Sequence, residues 1–151
     1  PVFGVVYAPA LDELHYGIRG VGAFICDGRS RVPIATRRPA AAPLHVAASR
    51  SHMDPRTAAA IARMGEVSLL GMGSSLKFCR MAEARLAVYP RFAPTSEWDT
   101  AAGQCVLEAA GGVVLTLDGR PLSYNSKDSL LNPDFLALGD DSLPWREWLD
   151  G

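Results

Sequence analysis

This 151-residue sequence has few cysteines, no long apolar run and no excess of charge of either sign, and each absence excludes a class of protein. No apolar run approaches the ~20 residues that a membrane-spanning helix needs, and no charged-then-apolar secretion signal opens the chain. A net charge of −1 argues against a nucleic-acid coat or an acidic tail. We therefore expect no transmembrane segment, no nucleic-acid partner and, by default, cytoplasmic residence, while the oligomeric state stays open.

The three cysteines lack a Cys-x-x-Cys pair and a nearby histidine, which argues against a disulfide framework and a zinc site. We expect Cys26, Cys79 and Cys105 to be buried and reduced. Lysine is also scarce, since Lys77 and Lys127 are the two lysines among fifteen basic residues. A lysine in a chain that otherwise uses arginine indicates a need for a compact ammonium, which makes Lys77 a candidate site residue.

Residues 1–42 are typical of an antiparallel β-meander followed by a linker. Turn signals divide four apolar stretches, which cover residues 2–7, 14–18, 23–26 and 32–34. The first strand starts without a partner, so we expect this short sheet to pair with strands that the sequence does not contain. A Pro/Ala-rich segment over 36–43 is the predicted linker.

From residue 43 onward, strand and helix patterns alternate. The predicted strands cover 44–48, 67–70, 86–89 and 113–116, and the predicted helices cover 57–64, 75–84 and 98–110. The chain is therefore predicted to be α/β, an α+β layered sandwich with an antiparallel meander (1–42) followed by a C-terminal α/β subdomain of alternating strands and helices (43–151). Ligand sites in such sheets lie at strand ends and helix starts.

The helix that opens at Trp98 has an acidic start. Ser96 is the predicted N-cap, and glycines at 111–112 form the predicted C-cap. The four small residues after Asp99 allow a strand, a phosphate or a metal to approach the backbone. Ser96 and Asp99 also fit a capping box, in which Asp99 binds the Ser96 amide and does no chemistry. This stretch alone favours the capping role.

Three loops carry further candidates, each with a structural alternative. His52 could bind a phosphate or a sugar, or be a surface histidine. Ser74 and Lys77 combine a hydroxyl and an ammonium at a helix start, which suits a phosphate, but the serines here could instead be an N-cap and the lysine solvated. Arg91 is a second cation at a strand end, or a surface arginine. His15 and His45 have no visible partner and are interpreted as structural.

Six segments, taken together in chain order, favour the functional roles of these residues over their structural alternatives. They are Ser-Arg-Ser-His, Gly-x-Gly-Ser-Ser-Leu-Lys-Phe-Cys, Tyr-Pro-Arg-Phe, Glu-Trp-Asp-Thr-Ala-Ala-Gly, Leu-Asp-Gly-Arg-Pro-Leu and Leu-Leu-Asn-Pro. In this order they resemble the magnesium-dependent phosphatases of the inositol monophosphatase superfamily, and within it the 3'(2'),5'-bisphosphate nucleotidase branch.

The resemblance implies an inositol monophosphatase-like fold and Mg²⁺-dependent hydrolysis of nucleotides such as 3'-phosphoadenosine 5'-phosphate to AMP and phosphate, an activity of sulfur metabolism. It implies that His52, Ser74, Lys77 and Arg91 contact the nucleotide. Asp99 would be catalytic, contact the substrate and bind the metal.

The family's acidic Glu-Glu pair and Asp-Pro-x-Asp-Gly-Thr motif do not occur in this sequence. The chain therefore resembles the C-terminal part of the enzyme, and its expected partners are the nucleotide and the missing N-terminal half. Because one carboxylate cannot organise two magnesium ions, we expect the chain alone to be inactive. Two alternatives stay open: a phosphatase for inositol or sugar phosphates, and a non-catalytic module that binds a nucleotide or a protein partner.

Overall fold

The computed structural model describes residues 1–28, 30–48 and 53–149, which form two β-sheets and three helices. The first sheet is antiparallel, with its strands in chain order. The strands are β1 (Phe3–Ala8), β2 (Glu13–Ile18), β3 (Gly22–Cys26) and β4 (Arg31–Ile34). The predicted meander is confirmed.

The second sheet is mixed and has the strand order β6-β5-β7-β9-β8. Its strands are β5 (Leu44–Ala47), β6 (Val67–Leu70), β7 (Val88–Arg91), β8 (Val113–Thr116) and β9 (Phe135–Leu138). Strands β5, β6 and β7 are parallel, so the loops that follow them meet at one edge of the sheet. The antiparallel strands β9 and β8 complete the other side.

Strand β7 starts two residues later than the sequence pattern predicts. The amides of Arg85 and Leu86 donate to the carbonyl oxygen of Arg80, at 2.9 and 3.2 Å. Both residues are therefore still bonded to the end of the preceding helix. Pairing in the second sheet begins only after that helix end. As a result Arg91 is the last residue of the strand.

The helices are α1 (Pro55–Ala62), α2 (Leu76–Ala82) and α3 (Glu97–Ala109). Asp54 caps α1 by accepting bonds from the amides of Arg56 and Thr57, both at 3.0 Å, with Pro55 in the first turn. Helix α2 ends at residue 82, earlier than the predicted 84, and Ala84 beyond it has a left-handed φ of 62°. Helix α3 lies within one residue of its predicted limits.

Helix α3 lies between the two sheets and packs against β1 and β2 on one side and α2 on the other. A Cβ atom placed on Gly4 would lie 2.5 Å from the carbonyl oxygen of Ala102, and one on Gly103 would lie 2.6 Å from the Phe78 ring. The small residues of α3 therefore accommodate a strand and a neighbouring helix, one of the uses that the sequence allowed.

The cysteine prediction is confirmed for two of the three residues. Cys79 and Cys105 are buried, Cys26 is only half-buried, and all three are free thiols. Burial raises the pKa of the Cys79 thiol to about 12, which makes it a poor nucleophile at neutral pH. Among the described helices, none combines the length and the apolar character that a bilayer crossing requires.

The edge strand β1 presents apolar side chains to solvent. Phe3 and Tyr7 are 59% and 53% exposed, and Val5 is also exposed. Unpaired edge groups together with exposed apolar side chains are typical of a surface that another segment covers. That this sheet continues into further strands stays a prediction.

Candidate functional site

A cleft of about 390 Å³ opens where β7 ends and α2 and α3 begin. Its lining includes Ser74, Lys77, Tyr89, Arg91 and Asp99. Four of the five residues that the sequence singled out therefore share one cavity, although they come from three separate segments of the chain. His52, the fifth, lies outside the described residues.

Lys77 is almost completely buried in this cleft. Its side chain is 8% exposed, and its ammonium nitrogen lies 4.7 Å from the centre of the Tyr89 ring. Within the described part of the chain, the ammonium has the Tyr89 ring as a neighbour but no hydrogen-bond acceptor. The alternative of a solvated lysine is therefore wrong, because the short helix α2 turns this side chain inward.

Burial and the nearby charge of Arg91 both lower the pKa of Lys77. Two cations in one cleft repel each other, and desolvation adds to the unfavourable energy of the buried ammonium. A bound anion would relieve both effects. The site thus has the electrostatics of an anion-binding pocket.

Arg91 projects from the end of β7 and is only partly held by the protein. One of its terminal nitrogens donates to the carbonyl oxygen of Pro94 at 3.1 Å, while its buried Nε atom has no hydrogen-bond partner among the described residues. A buried N–H without an acceptor is unfavourable. The described residues therefore satisfy the Arg91 guanidinium only in part.

Ser74 precedes α2 in a left-handed conformation with φ 59°. Its hydroxyl oxygen accepts a long bond from the amide of Leu76, at 3.4 Å, and Ser75 makes no capping bond through its side chain. The serine N-cap alternative is therefore supported only by this one long hydrogen bond. The exposed Ser74 hydroxyl can still donate to a ligand.

Asp99 fulfils its half of the predicted capping box. One carboxylate oxygen accepts a bond from the Ser96 amide at 2.8 Å. The other makes no hydrogen bond within the described residues, and the side chain lies at the exposed mouth of the cleft. Capping and ligand binding are thus compatible, because each can use a different oxygen.

A second group of possible metal ligands lies away from this cleft. Carboxylate or imidazole atoms of Glu13, His15 and Glu83 fall within 4.8 Å of one another. Arg80, however, donates to Glu13 at 2.6 Å and to Glu83 at 2.7 Å, and His15 lies 2.6 Å from Glu83. The arginine already compensates the carboxylates, so this group is an ion-pair network that joins β2 to α2. The interpretation of His15 as structural agrees with this packing.

Comparison with protein families matches residues 1–141 to the inositol monophosphatase family. The chain belongs to this family. The resemblance inferred from the six segments is confirmed, and so is the α+β layered fold that it implied.

The relatives include 3'(2'),5'-bisphosphate nucleotidases. CysQ of Salmonella typhimurium is 43% identical and CysQ of Escherichia coli K12 is 42% identical, each over 136 residues that cover 89% of this chain and 54% of the relative. The crystal structure of CysQ from Bacteroides thetaiotaomicron matches with a TM-score of 0.78 at 41% identity, over 91% of this chain and 58% of that one. Inositol monophosphatase-II from Staphylococcus aureus, at 20% identity and a TM-score of 0.78, shares the fold.

This member of the inositol monophosphatase family spans about half the length of the curated relatives that it matches.

Two residues, one in the cleft and one behind it, were not predicted to matter. The Tyr89 ring lies against the Lys77 ammonium. The side chain of Asn132 donates to the carbonyl oxygen of Ser96 at the start of α3. The sequence shows Tyr89 only as one residue of a strand, and nothing in it reports which face of that strand meets Lys77. Asn132 belongs to the Leu-Leu-Asn-Pro segment, and the sequence does not show where in the fold that segment lies.

Proposed function

We propose that this chain supplies the substrate-binding cations and one metal ligand of a magnesium-dependent phosphatase. Its substrates are 3'(2'),5'-bisphosphate nucleotides such as 3'-phosphoadenosine 5'-phosphate, which it converts to AMP and phosphate. The observation that carries this proposal is the pair of cations, Lys77 and Arg91, in one cleft with the Asp99 carboxylate. The term "complete enzyme" denotes this chain joined to the part of the family's length that it does not cover.

A substrate with two phosphate groups explains why the cleft holds two cations. One phosphate reacts at the metal site, and the other needs a binding site that leaves it intact. Lys77 and Arg91 bind the second group through charge-assisted hydrogen bonds, with the Ser74 hydroxyl as an additional donor. His52, which lies outside the described residues, is proposed as a further nucleotide contact by resemblance.

Asp99 is proposed as a magnesium ligand, a substrate contact and a catalytic residue. Asp99 is an exposed residue of the cleft lining, and only one of its carboxylate oxygens accepts a hydrogen bond from the described residues. A carboxylate oxygen is the ligand type that magnesium prefers. Magnesium prefers six oxygen ligands, so the remaining protein ligands belong to the other half of the complete enzyme. When bound, the metal supplies charge neutralisation and an activated water for in-line displacement.

The division of the chain follows from this proposal. Residues 1–42 belong to an N-terminal sheet that is completed in the enzyme, and residues 43–151 form the C-terminal subdomain that carries the cleft. Helix α3 joins them, because it packs against β1 and β2 as well as α2.

Phosphate release from 3'-phosphoadenosine 5'-phosphate, measured with and without Mg²⁺, tests the proposal. The complete enzyme should release phosphate only with the metal, and the chain alone should release little. Preference for inositol 1-phosphate over the nucleotide would replace the proposed substrate class. Tight metal-independent nucleotide binding by the complete protein without turnover would instead indicate a non-catalytic module.

A further inference from the structure

A polar stripe on α3 is buried beneath the loop that we call the clamp loop, residues 124–132. Glu97, Thr100 and Gln104 are 8%, 2% and 1% exposed and lie on one side of the helix. Lys127 and the amide of Asn125 donate to the Glu97 carboxylate, and the Tyr124 hydroxyl donates to Gln104 at 2.6 Å. These hydrogen bonds are directional, and they therefore fix the helix to the loop.

Asn132 ends the clamp loop and makes the contacts nearest the helix start. Its side chain is 8% exposed, and its Nδ2 group lies 2.9 Å from the Ser96 carbonyl oxygen, 3.0 Å from Thr100 Oγ1 and 3.1 Å from Thr95 Oγ1. Its backbone amide donates to the Thr95 carbonyl at 2.8 Å. Next to it, the amide of Glu97 donates to the carbonyl of Leu130 at 2.9 Å. The clamp loop therefore pairs with the chain just before and at the start of α3.

Ser96 connects Asn132 to Asp99. The Ser96 carbonyl oxygen accepts from Asn132 Nδ2 and also from the amide of Asp99, the latter at 3.0 Å. The Ser96 amide donates to the Asp99 carboxylate at 2.8 Å. The Asn132 side chain therefore holds the Ser96–Glu97 peptide, whose carbonyl binds the Asp99 amide. The Asn132 amide holds the adjoining Thr95–Ser96 peptide, whose N–H binds the Asp99 carboxylate.

We propose that Asn132 is a positioning residue for Asp99. It acts through Ser96 and touches neither the substrate nor the metal. Metal ligands must be held within tenths of an ångström to bind with full affinity, so a turn that is free to shift loses metal affinity before it loses its fold. The inference rests on the proposed role of Asp99 as a metal ligand.

Two substitutions separate positioning from packing. Asn132→Ala removes the Nδ2 donor and part of the side chain. Asn132→Asp keeps the size, but when ionised it offers an acceptor to the Ser96 carbonyl where a donor is needed. Ile61→Val is the matched control, because it trims a buried side chain on α1, remote from the clamp loop.

Amide hydrogen exchange on the chain itself is the first measurement. Protection of the Glu97 and Asp99 amides should fall by about tenfold or more in both Asn132 variants, relative to amides in the second half of α3. Asn132→Asp should regain protection as the pH falls and its carboxyl acquires a proton to donate. The control should leave the ratio between the two halves of α3 unchanged. Equal loss along the whole helix, or none, would overturn the inference.

The metal requirement of the complete enzyme is the second measurement. In Asn132→Ala the Mg²⁺ concentration for half-maximal phosphate release should rise by about tenfold, while KM for the nucleotide changes by less than about threefold. An unchanged metal requirement, with local protection lost, would overturn the positioning role and leave the proposed function intact. If the wild-type complete enzyme releases no phosphate, the proposed function fails, and the exchange measurement alone decides whether Asn132 fixes the turn.

Discussion

The ammonium nitrogen of Lys77 lies 4.7 Å from the centre of the Tyr89 ring, in a cleft whose other cation is Arg91. An aromatic face stabilises a cation by about 0.5–2 kcal/mol, which offsets only part of the unfavourable energy of burying it. No described carboxylate forms an ion pair with Lys77. The ligand-free protein therefore keeps an electrostatic strain that an anion would relieve.

Lys77→Met should stabilise the ligand-free chain by about 1 kcal/mol at neutral pH, because it keeps the buried stem and removes the charge. The pKa of Lys77 is lowered in the folded state, so the charge destabilises the fold at pH values below that lowered pKa. The penalty disappears as pH rises from there toward 10.5, the ordinary value. Urea unfolding should thus show a gain that shrinks in alkaline buffer. A loss of stability at neutral pH would show that the ammonium is already compensated.

Asp99→Asn separates capping from chemistry. The amide oxygen of asparagine can still accept the Ser96 bond, so the free energy of unfolding should change by less than about 1 kcal/mol. Phosphate release by the complete enzyme should fall by about a hundredfold or more, because the anionic metal ligand is lost. Full activity with intact stability would mean that Asp99 is a cap and nothing else.

Gly4→Ala tests the packing of the meander on α3. The added methyl group would lie 2.5 Å from a helix carbonyl oxygen, so we expect destabilisation by about 2 kcal/mol. Gly73→Ala is the matched control, since a Cβ there meets nothing within 4 Å. Thermal unfolding of the two variants should differ clearly; equal midpoints would contradict the close contact of β1 with α3.

Glu83 should make the fold sensitive to acid. Burial would raise its pKa, but the hydrogen bond with His15 and the charge of Arg80 outweigh burial and lower the pKa below 4.5. The stabilisation is therefore complete above 4.5 and is lost as the pH falls through the lowered value. Glu83→Gln should cost about 2 kcal/mol at neutral pH and progressively less in acid. A pH-independent difference would contradict this account.

The sequence predicted most elements because their signals are local. The helix predicted over 57–64 is present as α1, although it starts two residues earlier because Asp54 caps it and Pro55 is its first residue, and the small residues after Asp99 indicate a closely packed helix. The capping bond between Asp99 and Ser96 was likewise visible from spacing alone.

The rest depends on tertiary packing. The way in which α2 lies against β7 decides whether Lys77 is solvated or buried. The sequences of the two elements do not show this arrangement. Asn132 reaches Ser96 across 36 positions of sequence. Likewise, His15 acquires its partner Glu83 only when β2 meets the end of α2.

The substrate preference of a Lys77→Ala variant of the complete enzyme tests the central claim most directly. KM would be measured for 3'-phosphoadenosine 5'-phosphate and for adenosine 3'-monophosphate, which lacks the second phosphate. We expect KM for the bisphosphate to rise by about tenfold or more and KM for the monophosphate by less than about threefold. Equal increases for the two nucleotides would contradict the assignment of this cleft to the second phosphate.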